Sequence, residues 1–164
     1  MKHFDYFAPT EIIFGAGRVT EAGALAARYG KKAMLVTVPE FPAVAELYAK
    51  VKKSLSDAGV ACVHYDGVIP NPTTELVTRG AELAKAEGVD VVIGLGGGSS
   101  MDTAKAIAVE ATHPGTAWDY NCHTAGPTEQ TLPILAISTT AGTGSQTTPC
   151  AVITKTSAKD KSAI

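Results

Sequence analysis

A glycine-rich segment, GGGSS at 96–100, has the residue types that could bind a phosphate group. It lies at the end of an apolar strand predicted at 89–96 and leads into a stretch with helical spacing. Consecutive glycines allow a sharp turn and close backbone approach to a ligand, and the unpaired N–H groups at a helix N-terminus attract an anion. The serine hydroxyls could donate to a phosphate. Asp102, in the first turn of the predicted helix, could accept N–H bonds or face a hydroxyl or amide of the ligand.

The same segment also fits a tight turn between a strand and a helix, with Ser99 or Ser100 as an ordinary helix cap. Two established phosphate fingerprints do not match it. The pattern G-x-x-x-x-G-K-[ST] requires a lysine where Ser99 stands. The pattern G-x-G-x-x-G requires a glycine at that position and a place after the first strand of the fold. The segment alone therefore leaves both a plain turn and a phosphate site open.

A second polar stretch, ISTTAGTGSQTTP at 137–149, also follows an apolar strand. A solvent-exposed loop could have this composition. Two loops rich in Gly, Ser and Thr at the carboxyl ends of parallel strands nevertheless favour a ligand site, because open α/β sheets bind ligands at that edge. Asn71, in IPNPTT after the strand predicted at 60–66, is expected at the same edge.

The elements that would position these loops alternate between apolar runs and amphipathic stretches. Strands are predicted at 31–38, 60–66, 89–96, 132–138 and 151–154, and helices at 18–30, 42–59, 71–88 and 99–111. Nearly continuous apolar strands indicate a parallel sheet that is buried on both faces. Two short strands, Phe4–Phe7 and Glu11–Phe14, predict an amino-terminal β-hairpin that turns at Pro9. The predicted fold is one doubly wound α/β domain over 1–164, with a mostly parallel sheet and helices on both faces.

Composition and charge exclude several classes of protein. Hydrophobic residues make up 45% of the chain and charged residues 18%, which is typical of a globular domain. No apolar run is long enough for a membrane span, and no secretory signal pattern opens the sequence. The 14 basic residues are dispersed and the net charge is −2, so a nucleic acid is not an expected partner.

The cysteines and histidines predict no metal site in this chain. Cys62, Cys122 and Cys150 lie far apart, form no C-x-x-C pair, and fit free thiols in a reducing cytoplasm. Cys122 and His123 are too few to hold zinc. His113 is expected at the surface, and no Ser-His-Asp set can be assigned.

Four segments, in order, resemble the amino-terminal domain of the iron-containing (group III) alcohol dehydrogenases. They are FAPTEIIFGAG (7–17), GVIPNPTT (67–74), GLGGGSSMDTAKAIA (94–108) and ISTTAGTGSQTTPCAVIT (137–154). The resemblance implies an α/β domain that binds NAD or NADP. It also implies a helical carboxyl-terminal domain whose iron or zinc polarises the oxygen of an alcohol or aldehyde substrate. The TTAGTGS block favours this family over the related glycerol dehydrogenases and dehydroquinate synthases. A stand-alone nucleotide-binding module without catalysis is a further alternative.

The resemblance also implies a set of cofactor-binding residues, each near one part of the dinucleotide. They are Gly97, Gly98 and Ser99 at the pyrophosphate, Asp102 towards the nicotinamide, Thr139, Thr140 and Thr143 along the adenosine and ribose, Asn71 and Val152 near the cofactor, and Lys161 near the nicotinamide ribose.

Several features depart from the family pattern. Val38 occupies the position where many NAD-preferring members carry an aspartate, so NADP is not excluded, although Glu40 could substitute. Gln146 replaces a usual glutamate. The family's metal ligands, one Asp and three His, would lie beyond residue 164, so this chain alone is expected to contain no catalytic or metal residues and to be inactive. The resemblance also implies a homodimer or higher homo-oligomer, formed through the amino-terminal strand pair.

Overall fold

The computed structural model describes residues 3, 8–121, 124 and 126–164. A four-stranded parallel sheet forms its centre, with strand order β2-β1-β3-β4. The strands are β1 (Lys32–Val36), β2 (Ala61–Tyr65), β3 (Val91–Gly96) and β4 (Ile134–Ser138). The predicted α/β class with a mostly parallel sheet is confirmed. The first five residues of β3 are all buried, as expected for a central strand that is covered on both faces.

Helices cover both faces of this sheet. They are α1 (Ala22–Ala26), α2 (Pro42–Asp57), α3 (Thr74–Glu87) and α4 (Gly98–Glu110). Because side chains alternate along a strand, Leu35 of β1 packs in a core cluster with Val51 of α2. Its neighbour Met34 packs in the other cluster, with Val77 of α3 and Ile107 of α4. Each face of the sheet therefore has its own apolar layer.

Helix α3 has a defined cap at each end. Thr73 is the N-cap of α3, and its side chain accepts a hydrogen bond from the N–H of Leu76 at 3.4 Å. At the other end, Gly88 terminates the helix in a left-handed conformation with φ 62°. Four short 3-10 helices complete the helical segments of the described residues, at Arg18–Glu21, Ala117–Tyr120, Ser145–Thr147 and Thr156–Ala158.

The strand predicted at 151–154 does not extend the parallel sheet. Instead, β5 (Val152–Lys155) pairs antiparallel with β6 (Asp160–Ala163), a strand that the sequence pattern did not predict. Lys159, at φ 51°, turns the chain back between the two strands, so β5 pairs with its nearest neighbour in sequence. The N–H of Thr154 donates to the carbonyl of Pro72 at 2.8 Å, which joins this hairpin to the start of α3.

Three further expectations differ from the structure. Glu11–Phe14 forms no strand. Phe14 is 91% exposed, so no described strand of this chain covers this segment. The other half of the predicted hairpin, Phe4–Phe7, lies outside the described residues. The helix predicted at 18–30 is a 3-10 turn followed by the short α1. His113 is buried rather than exposed, because its ring nitrogens bond the Val109 carbonyl and Thr128, both at 2.9 Å.

Among the residues that the structure describes, no helix has both the length and the apolar character that crossing a membrane requires.

Candidate functional site

The start of α4 leaves two backbone amides open at the carboxyl edge of the sheet. Gly97 is the N-cap, and its carbonyl accepts the N–H groups of Ser100 at 3.1 Å and Met101 at 3.3 Å. The amides of Gly98 and Ser99 are the first two of the helix and have no acceptor among the described residues. No acidic side chain lies in the first turn of this 13-residue helix, so no carboxylate of that turn offsets the positive end of the helix dipole.

Neither Ser99 nor Ser100 is the N-cap of α4, so the interpretation of this segment as a turn with an ordinary serine cap loses its basis. The N-cap is a glycine with no side-chain cap bond, and Ser99 and Ser100 lie inside the helix. The Ser100 hydroxyl is buried without a partner in the described part of the chain. Gly96 has φ 142°, a conformation that side-chain-bearing residues rarely adopt, so this glycine is required by the backbone. Asp102 lies in the second turn, because α4 begins one residue earlier than the sequence predicts.

The threonine-rich loop contacts the glycine-rich segment directly. β3 and β4 are parallel neighbours in which Gly96 pairs with Ser138, and the N–H of Thr139 donates to the Gly96 carbonyl at 2.9 Å. A Cβ atom on Gly98 would lie 3.0 Å from Cγ2 of Thr143. The prediction that the two loops share one edge of the sheet is therefore confirmed, and the glycine leaves room between them.

A pocket of about 450 Å³ lies where these loops meet, within the size range of small-molecule sites. Most of the predicted cofactor residues line it, together with three that were not predicted. The lining residues are Gly98, Ser99, Asp102, Thr143, Val152 and Lys161 from the predicted set, and Ser145, Thr148 and Cys150 in addition. The β5–β6 hairpin contributes Val152 and Lys161.

The remaining predicted residues lie beside this pocket rather than in its wall. A Cβ on Gly97 would lie 3.4 Å from Oγ1 of Thr140, so these two residues face each other next to the glycine wall. Thr139 is exposed at the end of β4. Asn71 reaches the site through a partner, because its Oδ1 accepts a hydrogen bond from Nζ of Lys161 at 2.7 Å.

A buried lysine under the pocket was not predicted from the sequence. Lys105 is 6% exposed, and its Nζ donates to the Ser145 carbonyl at 2.6 Å, the Ser145 hydroxyl at 2.9 Å and the Cys150 carbonyl at 2.7 Å. Burial lowers the pKa of Lys105, while the nearby Asp102 charge opposes that shift. A charged residue within the otherwise apolar run AKAIAV of α4 was the available signal.

The end of β1, where the family pattern places an acidic residue, is closed by uncharged groups. The Val38 side chain is half-buried, and its carbonyl accepts hydrogen bonds from the hydroxyls of Thr37 at 2.7 Å and Tyr48 at 3.3 Å. Nε2 of His64 lies 2.9 Å from the Thr37 hydroxyl oxygen, and burial lowers the pKa of this histidine. Glu40 is exposed two residues beyond.

A metal site does not emerge from the donor groups that the structure describes. Within residues 3, 8–121, 124 and 126–164, no three His, Cys, Asp or Glu side chains cluster closely enough to hold an ion. Cys122 and His123 lie outside the described residues.

The side chain of Gln146, where the family usually has a glutamate, is partly buried, and its Oε1 has no partner in the described part of the chain.

Comparison with known proteins decides the family. The family described as iron-containing alcohol dehydrogenase matches residues 9–164. This chain belongs to the iron-containing alcohol dehydrogenase family. The match covers the glycine-rich segment, the threonine-rich loop and the β5–β6 hairpin, so every wall of the pocket lies within the family pattern.

Individual family members agree with this assignment. A choline dehydrogenase of Bacillus subtilis is 46% identical over 158 residues, which are 94% of this chain and 39% of that protein. The crystal structure of the archaeal halo-thermophilic alcohol dehydrogenase ADH/D1 from a Red Sea brine pool superposes with a TM-score of 0.94 at 41% identity. That superposition covers 100% of this chain and 43% of the other. An NADH-dependent butanol dehydrogenase A of Thermotoga maritima gives a TM-score of 0.90 at 34% identity, covering 100% and 41%. The chain thus spans about two fifths of the length of these relatives and matches the amino-terminal domain of the family.

Proposed function

We propose that this chain binds NAD(H) or NADP(H) in the pocket between the two polar loops. It would do so as the cofactor-binding part of a metal-dependent alcohol dehydrogenase that interconverts an alcohol with an aldehyde or ketone. The observation that carries the proposal is the open N-terminus of α4, whose Gly98 and Ser99 form one wall of a pocket that Lys161 also lines. Two free amides and a helix dipole are together suited to a pyrophosphate, and the ammonium group adds positive charge to the same pocket.

The proposed pyrophosphate position uses backbone groups more than side chains. Gly97, Gly98 and Ser99 would hold it, because a side chain at the two glycines would occupy the space against Thr140 and Thr143. The Ser99 hydroxyl adds a further donor at the same point. We propose this arrangement for the amino-terminal turn of α4 and for no other helix start in the described chain.

The other predicted residues are proposed to bind the two ends of the dinucleotide. Asp102 and Lys161 both line the pocket and would lie towards the nicotinamide, and Val152, which also lines it, would offer backbone contacts. Asn71 would orient Lys161 through the hydrogen bond that joins them. The threonines of the loop would lie along the adenosine and its ribose: Thr139, Thr140 and Thr143.

Both forms of the cofactor are compatible with the end of β1. Val38 offers no carboxylate to repel a 2′-phosphate, and Glu40 is exposed beyond the strand. The name of the Thermotoga maritima relative, an NADH-dependent enzyme, favours NAD(H). We therefore propose that the chain binds both cofactors, with NAD(H) preferred. When bound, the nicotinamide would supply the acceptor or donor of a hydride.

The donor groups of the described residues do not fit a metal ion, and none of these residues is assigned to a metal-dependent step. We expect the chain by itself to bind the dinucleotide without oxidising alcohols. Turnover of a primary alcohol by the purified 164-residue chain, with iron or zinc added, would contradict this expectation.

Self-association is a further part of the proposal. Ile12 is 70% exposed and Phe14 is 91% exposed, and large apolar side chains that lie uncovered close together are typical of an interface. We propose that the segment 11–14 contacts a second copy of the chain.

The free, exposed thiols of Cys62 and Cys150 support a reducing compartment such as the cytoplasm.

A matched pair of glycine variants tests the cofactor proposal. Gly98→Val should abolish NADH binding in calorimetric titration, because its side chain would meet Thr143 and fill the space for the phosphate. Gly126→Val is the control, since an added Cβ there meets no atom within 4 Å. Equal NADH affinity in wild type and Gly98→Val would show that the glycine segment is only a turn.

A further inference from the structure

The ammonium group of Lys105 has all three of its hydrogen bonds directed at one neighbouring segment. Its acceptors are the carbonyl and hydroxyl of Ser145 and the carbonyl of Cys150, at 2.6, 2.9 and 2.7 Å. A lysine ammonium has three donors, so its hydrogen-bonding capacity is fully used. A buried charge is costly unless it is satisfied in this way. The position of Lys105 on α4 and the conformation of residues 145–150 are therefore coupled.

The hydrogen bonds of Lys105 connect, through Ser145, to another residue that lines the pocket. The Ser145 hydroxyl accepts from Lys105 and donates to Oδ1 of Asp102 at 2.7 Å. Asp102 and Lys105 lie three residues apart on α4, on the same side of the helix. Ser145 and Cys150 themselves line the pocket, so the lysine holds one wall by its backbone and orients the carboxylate of another.

We propose that Lys105 is a positioning residue for the dinucleotide pocket, which holds the segment 145–150 in place and orients the Asp102 carboxylate through Ser145. The inference rests on the proposed cofactor binding at this pocket. Lys105 itself is buried beneath the wall and does not line the pocket, so its effect on a bound dinucleotide is indirect.

The test is an NADH titration of the 164-residue chain at low temperature, with circular dichroism to confirm folding. Lys105→Met keeps an unbranched side chain that is one heavy atom shorter and removes the three hydrogen bonds. We expect its Kd for NADH to rise about tenfold, as for the loss of a bond to a charged group. Val51→Ala is the control. Val51 is fully buried in the core cluster on the opposite face of the sheet, so its truncation destabilises the fold without changing the hydrogen bonds of Lys105.

A double-mutant cycle with Asp102→Asn separates positioning from a general loss of stability. If Lys105 acts partly through Asp102, the combined effect on Kd will be smaller than the product of the single effects. Should Lys105→Met fail to fold, Ser145→Ala replaces it, since it removes the link to Asp102 and leaves the two carbonyl acceptors; its Kd should also rise several-fold.

Three results would overturn the inference. The first is a Kd for Lys105→Met within about twofold of wild type, which is inside the usual error of such comparisons. The second is an equal loss of affinity in Val51→Ala, and the third is a fully multiplicative cycle. Failure of the wild-type chain to bind NADH would instead overturn the proposed function, and the positioning role with it.

Discussion

Nζ of Lys161 lies 2.7 Å from Oδ1 of Asn71, although the two residues are 90 positions apart in the sequence. The bond joins β6 to the loop that precedes α3. It holds an exposed lysine in the lining of the pocket to which the glycine-rich segment also contributes.

Replacing this lysine should weaken cofactor binding without unfolding the chain. In Lys161→Met we expect the Kd for NADH to rise about tenfold, because a charge-assisted bond to the cofactor is lost. The thermal midpoint should hardly change, since the side chain is exposed. Lys159→Met, in the turn of the same hairpin, is the matched control for charge. If both variants bound NADH equally, a specific role for Lys161 would be excluded.

A carboxylate at position 38 should select against NADP(H). In Val38→Asp we expect the ratio of NADPH to NADH dissociation constants to rise at least about tenfold, because the carboxylate repels the 2′-phosphate and accepts from a ribose hydroxyl. Val38→Asn has nearly the same shape without the charge and controls for the lost packing. An unchanged ratio in the aspartate variant would place the adenosine ribose away from the end of β1.

His64 should make the stability of the fold sensitive to acid. Burial, helped by the charge of Lys52, holds the pKa of His64 below its ordinary value near 6.5, against the opposing effect of Asp66 and Glu40. The unfolded chain therefore takes up this proton first as the pH falls. The contribution of neutral His64 to the free energy of unfolding should be complete above about pH 6.5 and should be lost as the pH drops through the folded-state pKa.

Denaturant unfolding at a series of pH values measures this effect. His64→Gln retains an amide donor for the Thr37 hydroxyl but cannot titrate, so its unfolding free energy should decrease less between about pH 7 and pH 5 than that of wild type. Other titrating groups are common to both chains and cancel in the difference. Parallel pH profiles of the two proteins would assign the acid sensitivity elsewhere.

Removing the N-cap side chain of α3 should lower the free energy of unfolding. Thr73→Ala loses the side-chain acceptor for the Leu76 N–H, and we expect a loss of about 1 kcal/mol in the free energy of unfolding. Thr73→Ser restores the acceptor and should recover most of it. The same loop carries Asn71, so a small decrease in NADH affinity should accompany the alanine change.

The central fold could be predicted because its signals are local. The strand Val91–Gly96 is a continuous apolar run, and α2 and α3 have clear helical spacing, so their types follow from short-range pattern. The fate of 151–154 could not be predicted in the same way. A four-residue apolar strand fits a parallel sheet or a hairpin equally well, and only the turn at Lys159 distinguishes them.

Residue types and their local spacing were enough to predict the parallel sheet, the two polar loops at its carboxyl edge and the glycines that leave space there. These features depend on neighbours within one or two turns or strands. The burial of Lys105 against Ser145, 40 positions away, and the contact of Lys161 with Asn71 across 90 positions became visible only in the folded chain. Such contacts depend on how separate elements pack, and hydrophobic periodicity carries no information about which distant polar groups that packing brings together.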